Sequence, residues 1–127
     1  MRVLLVDDHP IVQQVLGAVA RNVFSGAQID IASDLEQAIQ SAGDGNAPDL
    51  VLLDLGLPGC AGIEALTAFR RAHPQSRVVV VSANEDRGSM AGAIEAGAAG
   101  YVPKTHTPPL IAVALRVVAE GGTYVPA

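Results

Sequence analysis

The chain of 127 residues contains no tryptophan, two phenylalanines and two tyrosines. A core of any size must therefore be built from Val, Leu, Ile and Ala. Cys60 is the only cysteine, so no intrachain disulfide can form. Nothing then points to an oxidising compartment, and Cys60 reads as an incidental free thiol. The eight basic residues are scattered and form no run, and the net charge is −5. That balance argues against a nucleic-acid-binding surface on this chain, which would need a basic patch. No apolar run approaches the ~18–20 residues that span a bilayer. The first run, behind Arg2, is cut off by Asp7 and Asp8 and is too short for a signal-peptide core. There is no repeat and no low-complexity tract. A soluble, cytoplasmic, single domain is the expectation, and the length suits one.

What is present is an alternation of two kinds of segment. Short apolar runs at Val3–Val6, Gln28–Ala32, Leu50–Leu53, Val78–Val81 and Tyr101–Val102 are too short for helices and read as strands. The first, third and fourth lack a polar face, as strands do in a parallel sheet covered on both sides. Helical patterns lie between and after them. Pro10–Val23 carries Ile11, Val15, Val19 and Val23 at i, i+4 spacing behind a first-turn proline. Asp34–Ala42 opens on Ser33 or Asp34 as N-cap, with Glu36 or Gln37 three residues on. Gly62–Ala72 stops before His73-Pro74. Asp86–Ala96 ends at Gly97, and Pro108–Ala119 ends at Gly121-Gly122. Five β-α units with right-handed crossovers predict an α/β fold with helices on both faces of a parallel five-stranded sheet.

In such a sheet, ligands bind beyond the carboxyl ends of the strands. Asp7 and Asp8 follow the first strand, Asp54 the third, Ser82 the fourth and Lys104 the fifth. If the strands are neighbours, three acids, a hydroxyl and a lysine converge on one edge. Carboxylates so close repel one another and raise each other's pKa. A hard divalent cation such as Mg²⁺ relieves that conflict, taking two carboxylates, a backbone carbonyl and waters. An Asp can also act as a nucleophile toward phosphorus. The metal and the lysine would then neutralise charge on the transferring group, and Ser82 would donate a hydrogen bond to one of its oxygens. The apolar run before Asp54 positions it, and Gly56-Leu57-Pro58-Gly59 keeps the mouth open.

These residues carry a family resemblance. The set Asp7-Asp8, Asp54, Ser82 and Lys104, with the stretches VLLVDDHP, LLDLGLPG and VVVVSANED…AIEAGAAGYVPK, resembles the receiver domain of two-component response regulators. The resemblance covers essentially the whole chain. It implies a flavodoxin-like (βα)5 three-layer sandwich with strand order 2-1-3-4-5. It implies Asp54 as acceptor of a phosphoryl group from a sensor histidine kinase. Asp8, Asp54 and the Gly56 carbonyl would ligate Mg²⁺, with Asp7 acting mostly through water. Lys104 and the Ala83 amide would bind the phosphoryl group, Ser82 would be the switch hydroxyl, and Tyr101 the aromatic that moves with it. DDHPIVQQVL, LGLPGCAGIEAL, GAAGYVPK and ALRVVAEGGTYVPA are further similar to the NarL/FixJ group, in which a LuxR-type DNA-binding domain normally follows. Residues 1–120 are then the receiver, and 121–127 a tail or the start of a linker to an output domain absent from this chain. The fifth helix is apolar nearly all round, as a homodimer contact or an output-domain contact would require.

Two features depart from the family's usual pattern. Thr105 follows Lys104 where many receivers have a proline with a cis bond, so a trans bond is expected here. Gly56 offers no side chain over an acyl phosphate, which leaves Asn84 to position a hydrolytic water. Several plainer readings stand beside these roles. Asp7 and Asp8 also suit a helix N-terminus, Ser82 a turn or cap, and Tyr101 a half-buried strand position. His9, His73 and His106 lack metal-ligand spacing, though His9 is placed to tune the acids. A haloacid-dehalogenase-like phosphatase would need a second Asp where Gly56 stands. An FMN-binding flavodoxin would not put DDHP in its phosphate loop. A pseudo-receiver that signals by contact alone is the remaining alternative.

Overall fold

The computed structural model describes residues 1–43, 45, 47–57, 59 and 62–126. Pro58 and Cys60, and with them the free-thiol reading, lie outside the described residues. Five strands alternate with five helices: β1 (Arg2–Val6), α1 (Pro10–Val23), β2 (Gln28–Ala32), α2 (Leu35–Ser41), β3 (Leu50–Asp54), α3 (Ile63–Ala72), β4 (Arg77–Ser82), α4 (Arg87–Glu95), β5 (Gly100–Pro103) and α5 (Pro108–Ala119). All strand pairs are parallel, in the order β2-β1-β3-β4-β5. The expected architecture and strand order are both present.

Alternation along the strands explains why β1, β3 and β4 lack a polar face. Successive side chains point to opposite sides of a sheet. Leu4, Val6, Val51, Leu53, Val78 and Val80 face one core, shared with Phe69 of α3 and Tyr101. Val3, Leu5, Leu50, Leu52, Val79 and Val81 face the other, shared with Leu16 of α1 and Leu115 of α5. Both sides are covered, so both must be apolar. With so few aromatics, Phe69 and Tyr101 are the bulkiest side chains fully out of solvent, and they belong to one core.

The helix starts distinguish readings that sequence left open. Asp34 caps α2: its Oδ1 accepts from Gln37 N at 2.8 Å, and Gln37 Oε1 accepts from Ser33 N at 3.0 Å. Asp86 caps α4, accepting from Ser89 N at 3.0 Å. Ser82 is therefore not a cap; it ends β4. The N-cap of α1 is His9, without a side-chain cap, so neither Asp7 nor Asp8 serves as a helix cap. Gly97 takes φ 102° just after α4, and a Cβ there would sit 2.1 Å from the Arg70 guanidinium. No cis peptide bond occurs among the described residues, as expected for Lys104-Thr105.

Candidate functional site

Strand register brings the polar residues together. Val6 pairs with Leu53, so Asp7 emerges beside Asp54. Asp54 pairs with Val81, one residue before Ser82. Ser82 pairs with Pro103, and the next residue, Lys104, donates its amide to Ser82 O at 2.8 Å. Adjacent strands are about 4.8 Å apart, so these ends fall within side-chain reach of one another. Rigid, buried strands hold each group at the mouth. Asp7 and Asp54 are 1% and 2% exposed.

Lys104 Nζ lies 3.2 Å from Asp54 Oδ2 and 3.3 Å from Asp7 Oδ2. Burial opposes the charge on this ammonium. Hydrogen bonding and attraction from Asp54, and then from Asp7, outweigh it and hold the lysine's pKa above its ordinary value. It is also the only lysine in the chain. Asp54 Oδ1 accepts from Gly56 N at 2.8 Å, which turns the chain sharply after β3. A Cβ at Gly56 would come 3.4 Å from that same oxygen.

One lysine does not satisfy three acids. Asp7 Oδ2 and Asp54 Oδ2 share the single Lys104 ammonium, and Asp8 Oδ1 has the His9 ring at 3.2 Å. Ligand atoms of Asp7, Asp8, His9 and Asp54 all lie within 4.8 Å of one another. Carboxylates crowded together repel one another, and hard oxygen donors in a cluster are what Mg²⁺ takes. The donor set fits such an ion.

A cleft of about 640 Å³ opens over Asp54, walled by Gly56, Ser82, Ala83, Asn84 and Lys104 among others. The structure thus gathers Asp7, Asp8, Asp54, Gly56, Ser82, Ala83 and Lys104 at one edge. Ser82 Oγ accepts from Asn84 N at 3.1 Å. Tyr101 is wholly buried, against the half-buried alternative, and its hydroxyl donates to Asn84 O at 2.6 Å. Asn84 lines this cleft and is anchored within its own loop. Its side chain accepts from Asp86 N at 2.8 Å and donates to Ser89 Oγ at 3.0 Å, bracing the start of α4.

Two contributors had little or no signal in the sequence. Gln13 Nε2 donates to Asp7 O at 2.6 Å, fixing the backbone of the acid pair from the first turns of α1. A polar residue on that turn gives no hint of its target. His9 Nδ1 lies 2.9 Å from Asp7 Oδ1 and 3.2 Å from Asp8 Oδ1, so the ring stands between two carboxylates. Its position next to the acid pair was the only clue.

Comparison with known proteins agrees with this edge. A family model described as "Response regulator receiver domain" matches residues 3–116. The chain belongs to the receiver-domain family of response regulators. It is similar to the transcriptional regulatory protein MctR of Rhizobium johnstonii, at 37% identity over 98% of this chain and 58% of that protein. The response regulator GacA of Pseudomonas viridiflava is 32% identical over 98% of this chain and 58% of its own length. The chain thus spans little more than half the length of these relatives. Among solved structures, a LuxR family DNA-binding response regulator from Silicibacter pomeroyi superposes with a TM-score of 0.87 at 28% identity, covering 99% of this chain and 97% of that one. The protein is a receiver domain homologous to LuxR-type regulators, and its aspartate cluster fits a phosphoacceptor site. Receivers are signalling proteins rather than conventional enzymes. No helix here is long and apolar enough to cross a membrane, among the described residues.

Proposed function

We propose that Asp54 accepts a phosphoryl group from the phosphohistidine of a sensor histidine kinase. The observation that carries this is the placement of Asp54: buried, 3.2 Å from the Lys104 ammonium, and clustered with two further acids. Asp8, Asp54 and the Gly56 carbonyl would hold Mg²⁺, with Asp7 acting through water. Bound there, Mg²⁺ would draw off charge from the transferring group. A carboxylate oxygen of Asp54 attacks phosphorus, the P–N bond breaks, and the imidazole leaves with the electron pair. Lys104 offers its ammonium to the phosphoryl oxygens, and the Ala83 amide and Ser82 hydroxyl donate to others. The domain thus assists its own phosphorylation and later hydrolysis, and no other reaction.

The added charge and acceptor oxygens then draw Ser82 toward the phosphoryl group, and Tyr101 follows. This biases the surface formed by α4, β5 and α5. Residues 1–120 act as the switch, and 121–127 begin the connection to a LuxR-type output domain in a longer, cytoplasmic transcription regulator. DNA is met only through that output domain. Ile11 and Val15 on α1 and Leu110 and Val113 on α5 are exposed apolar side chains, and they supply a contact for a homodimer.

Intact mass after incubation with acetyl phosphate tests the reading. One phosphoryl group should be added, with Mg²⁺ only. Addition at the same rate without Mg²⁺ would remove the metal from the account.

A further inference from the structure

The residues after α5 do not leave the domain directly. Gly121 turns the chain with φ 93°. Gly122 N donates to Val117 O at 2.9 Å, and Gly122 O accepts from Arg77 Nη2 at 2.8 Å. Tyr124 then pairs with the free edge of β5. Its amide donates to Ala99 O at 3.1 Å, and its carbonyl accepts from Tyr101 N at 3.0 Å. Tyr124 and Gly100 form a parallel bridge.

Side chains are shaped to admit this strap. A Cβ on Gly100 would lie 3.2 Å from Val118 Cγ2 and 3.3 Å from Tyr124 O. A Cβ on Gly122 would lie 2.9 Å from Val117 Cγ1. A side chain at Gly100 would crowd Tyr124 O, and one at Gly122 would press on Val117 of α5.

The strap also reaches the loop after β5. The Tyr124 hydroxyl and His106 Nε2 share a hydrogen bond of 2.9 Å, with the two rings edge to face at 6.0 Å. His106 is two residues from Lys104 on that short loop. Thr105, between them, donates its hydroxyl to Glu85 Oε1 at 3.1 Å, across to the loop before α4. The strap's backbone is bonded to Tyr101, whose hydroxyl reaches Asn84. Both routes from the strap end on groups around Asp54.

We propose that Tyr124 and His106 form a latch that ties the departing strap to the Lys104 loop, so that the state of Asp54 sets how firmly the strap is held. This rests on the reading of Asp54 as phosphoacceptor. Phosphorylation engages Lys104 and orders its loop. An ordered loop keeps His106 facing Tyr124 and tightens the strap on β5. By linkage, loosening the latch lowers the affinity of the loop for the phosphoryl state. His106 and Tyr124 act as positioning residues, through Lys104, and touch no reacting atom.

The test is hydrogen exchange across residues 122–126, read in the same samples as intact mass, with Mg²⁺ and with or without acetyl phosphate. In the phosphorylated wild type, exchange of the Tyr124 amide should slow by about fivefold or more. In Tyr124→Phe and His106→Leu, that amide should exchange faster than in wild type, and phosphorylation should no longer slow it. A phosphorylated wild type with unchanged strap exchange would overturn the latch while leaving Asp54 as acceptor. A wild type that gains no phosphoryl group would overturn both. Variants that still tighten on phosphorylation would show that the His106–Tyr124 bond is not the link.

Discussion

The two ends of the sheet are built on opposite accounts of polar groups. At the amino end, Asp49 accepts from Arg2 N at 2.8 Å, Asp30 sits 3.6 Å from the Arg2 guanidinium, and Ser76 Oγ donates to Pro48 O at 2.7 Å. What is left over there is donors, the Nε atoms of Arg2 and Arg77. At the carboxyl end the surplus is acceptors: Asp7 and Asp54 share one lysine, and Asp8 Oδ1 faces the His9 ring at 3.2 Å. Both guanidinium groups belong to half-buried side chains and are paired through their other nitrogens, with Asp30 and with Gly122 O. Asp7 and Asp54, at 1–2% exposure, share one ammonium and repel one another. One end is arranged to close the domain, and the other to receive something positive or electrophilic.

Substitutions at the carboxyl end sharpen this contrast. Asp54→Asn should abolish phosphorylation outright, while Mg²⁺ affinity, read by titration calorimetry, falls only modestly. Asp8→Ala should lower both, and undiminished phosphorylation in that variant would overturn its place among the ligands. Lys104→Met should slow phosphorylation by at least about tenfold and cost about 2 kcal/mol of stability by urea unfolding, since it strands two carboxylates.

That lysine has a pH signature. Its folded pKa lies above the ordinary 10.5. Its contribution to stability is therefore complete below that value and is lost as pH rises through the folded pKa. Stability of the wild type should fall over that alkaline range, and Lys104→Met should lack this part of the decline.

Smaller effects compare the ends directly. Asp7→Asn removes one repelling charge and should raise stability by about 1 kcal/mol in the absence of Mg²⁺. Ser76→Ala at the other end orphans a buried carbonyl and should lower it by about 1 kcal/mol. Destabilisation of similar size by both would dissolve the distinction. Saturating Mg²⁺ at ten times its Kd should stabilise the wild type by about 1.4 kcal/mol, and should stabilise Asp8→Ala less.

Much of this was legible before any coordinates. The apolar runs at β1, β3 and β4 carry no polar face because helices cover both sides, and that pattern predicts the sheet. Each chemically important residue stands within two positions of a strand end, so strand order alone assembles the site. Polar residues whose own position does not name their partner were not legible. Gln13 reaches back to Asp7 O, and Asn84 braces the start of α4. Tyr124 looked like the start of a linker because strand pairing by one residue leaves no periodicity. Only Gly121-Gly122 and Gly100 marked its path, and a glycine does not name the neighbour it admits.

The most direct measurement is borohydride reduction of the phosphorylated protein followed by peptide mapping. An aspartyl phosphate is reduced to homoserine, which marks the acceptor itself. The structure predicts homoserine at position 54 alone, and none in the Asp54→Asn variant. Homoserine at Asp7 or Asp8, in a protein shown by intact mass to be phosphorylated, would contradict the assignment of roles at this edge.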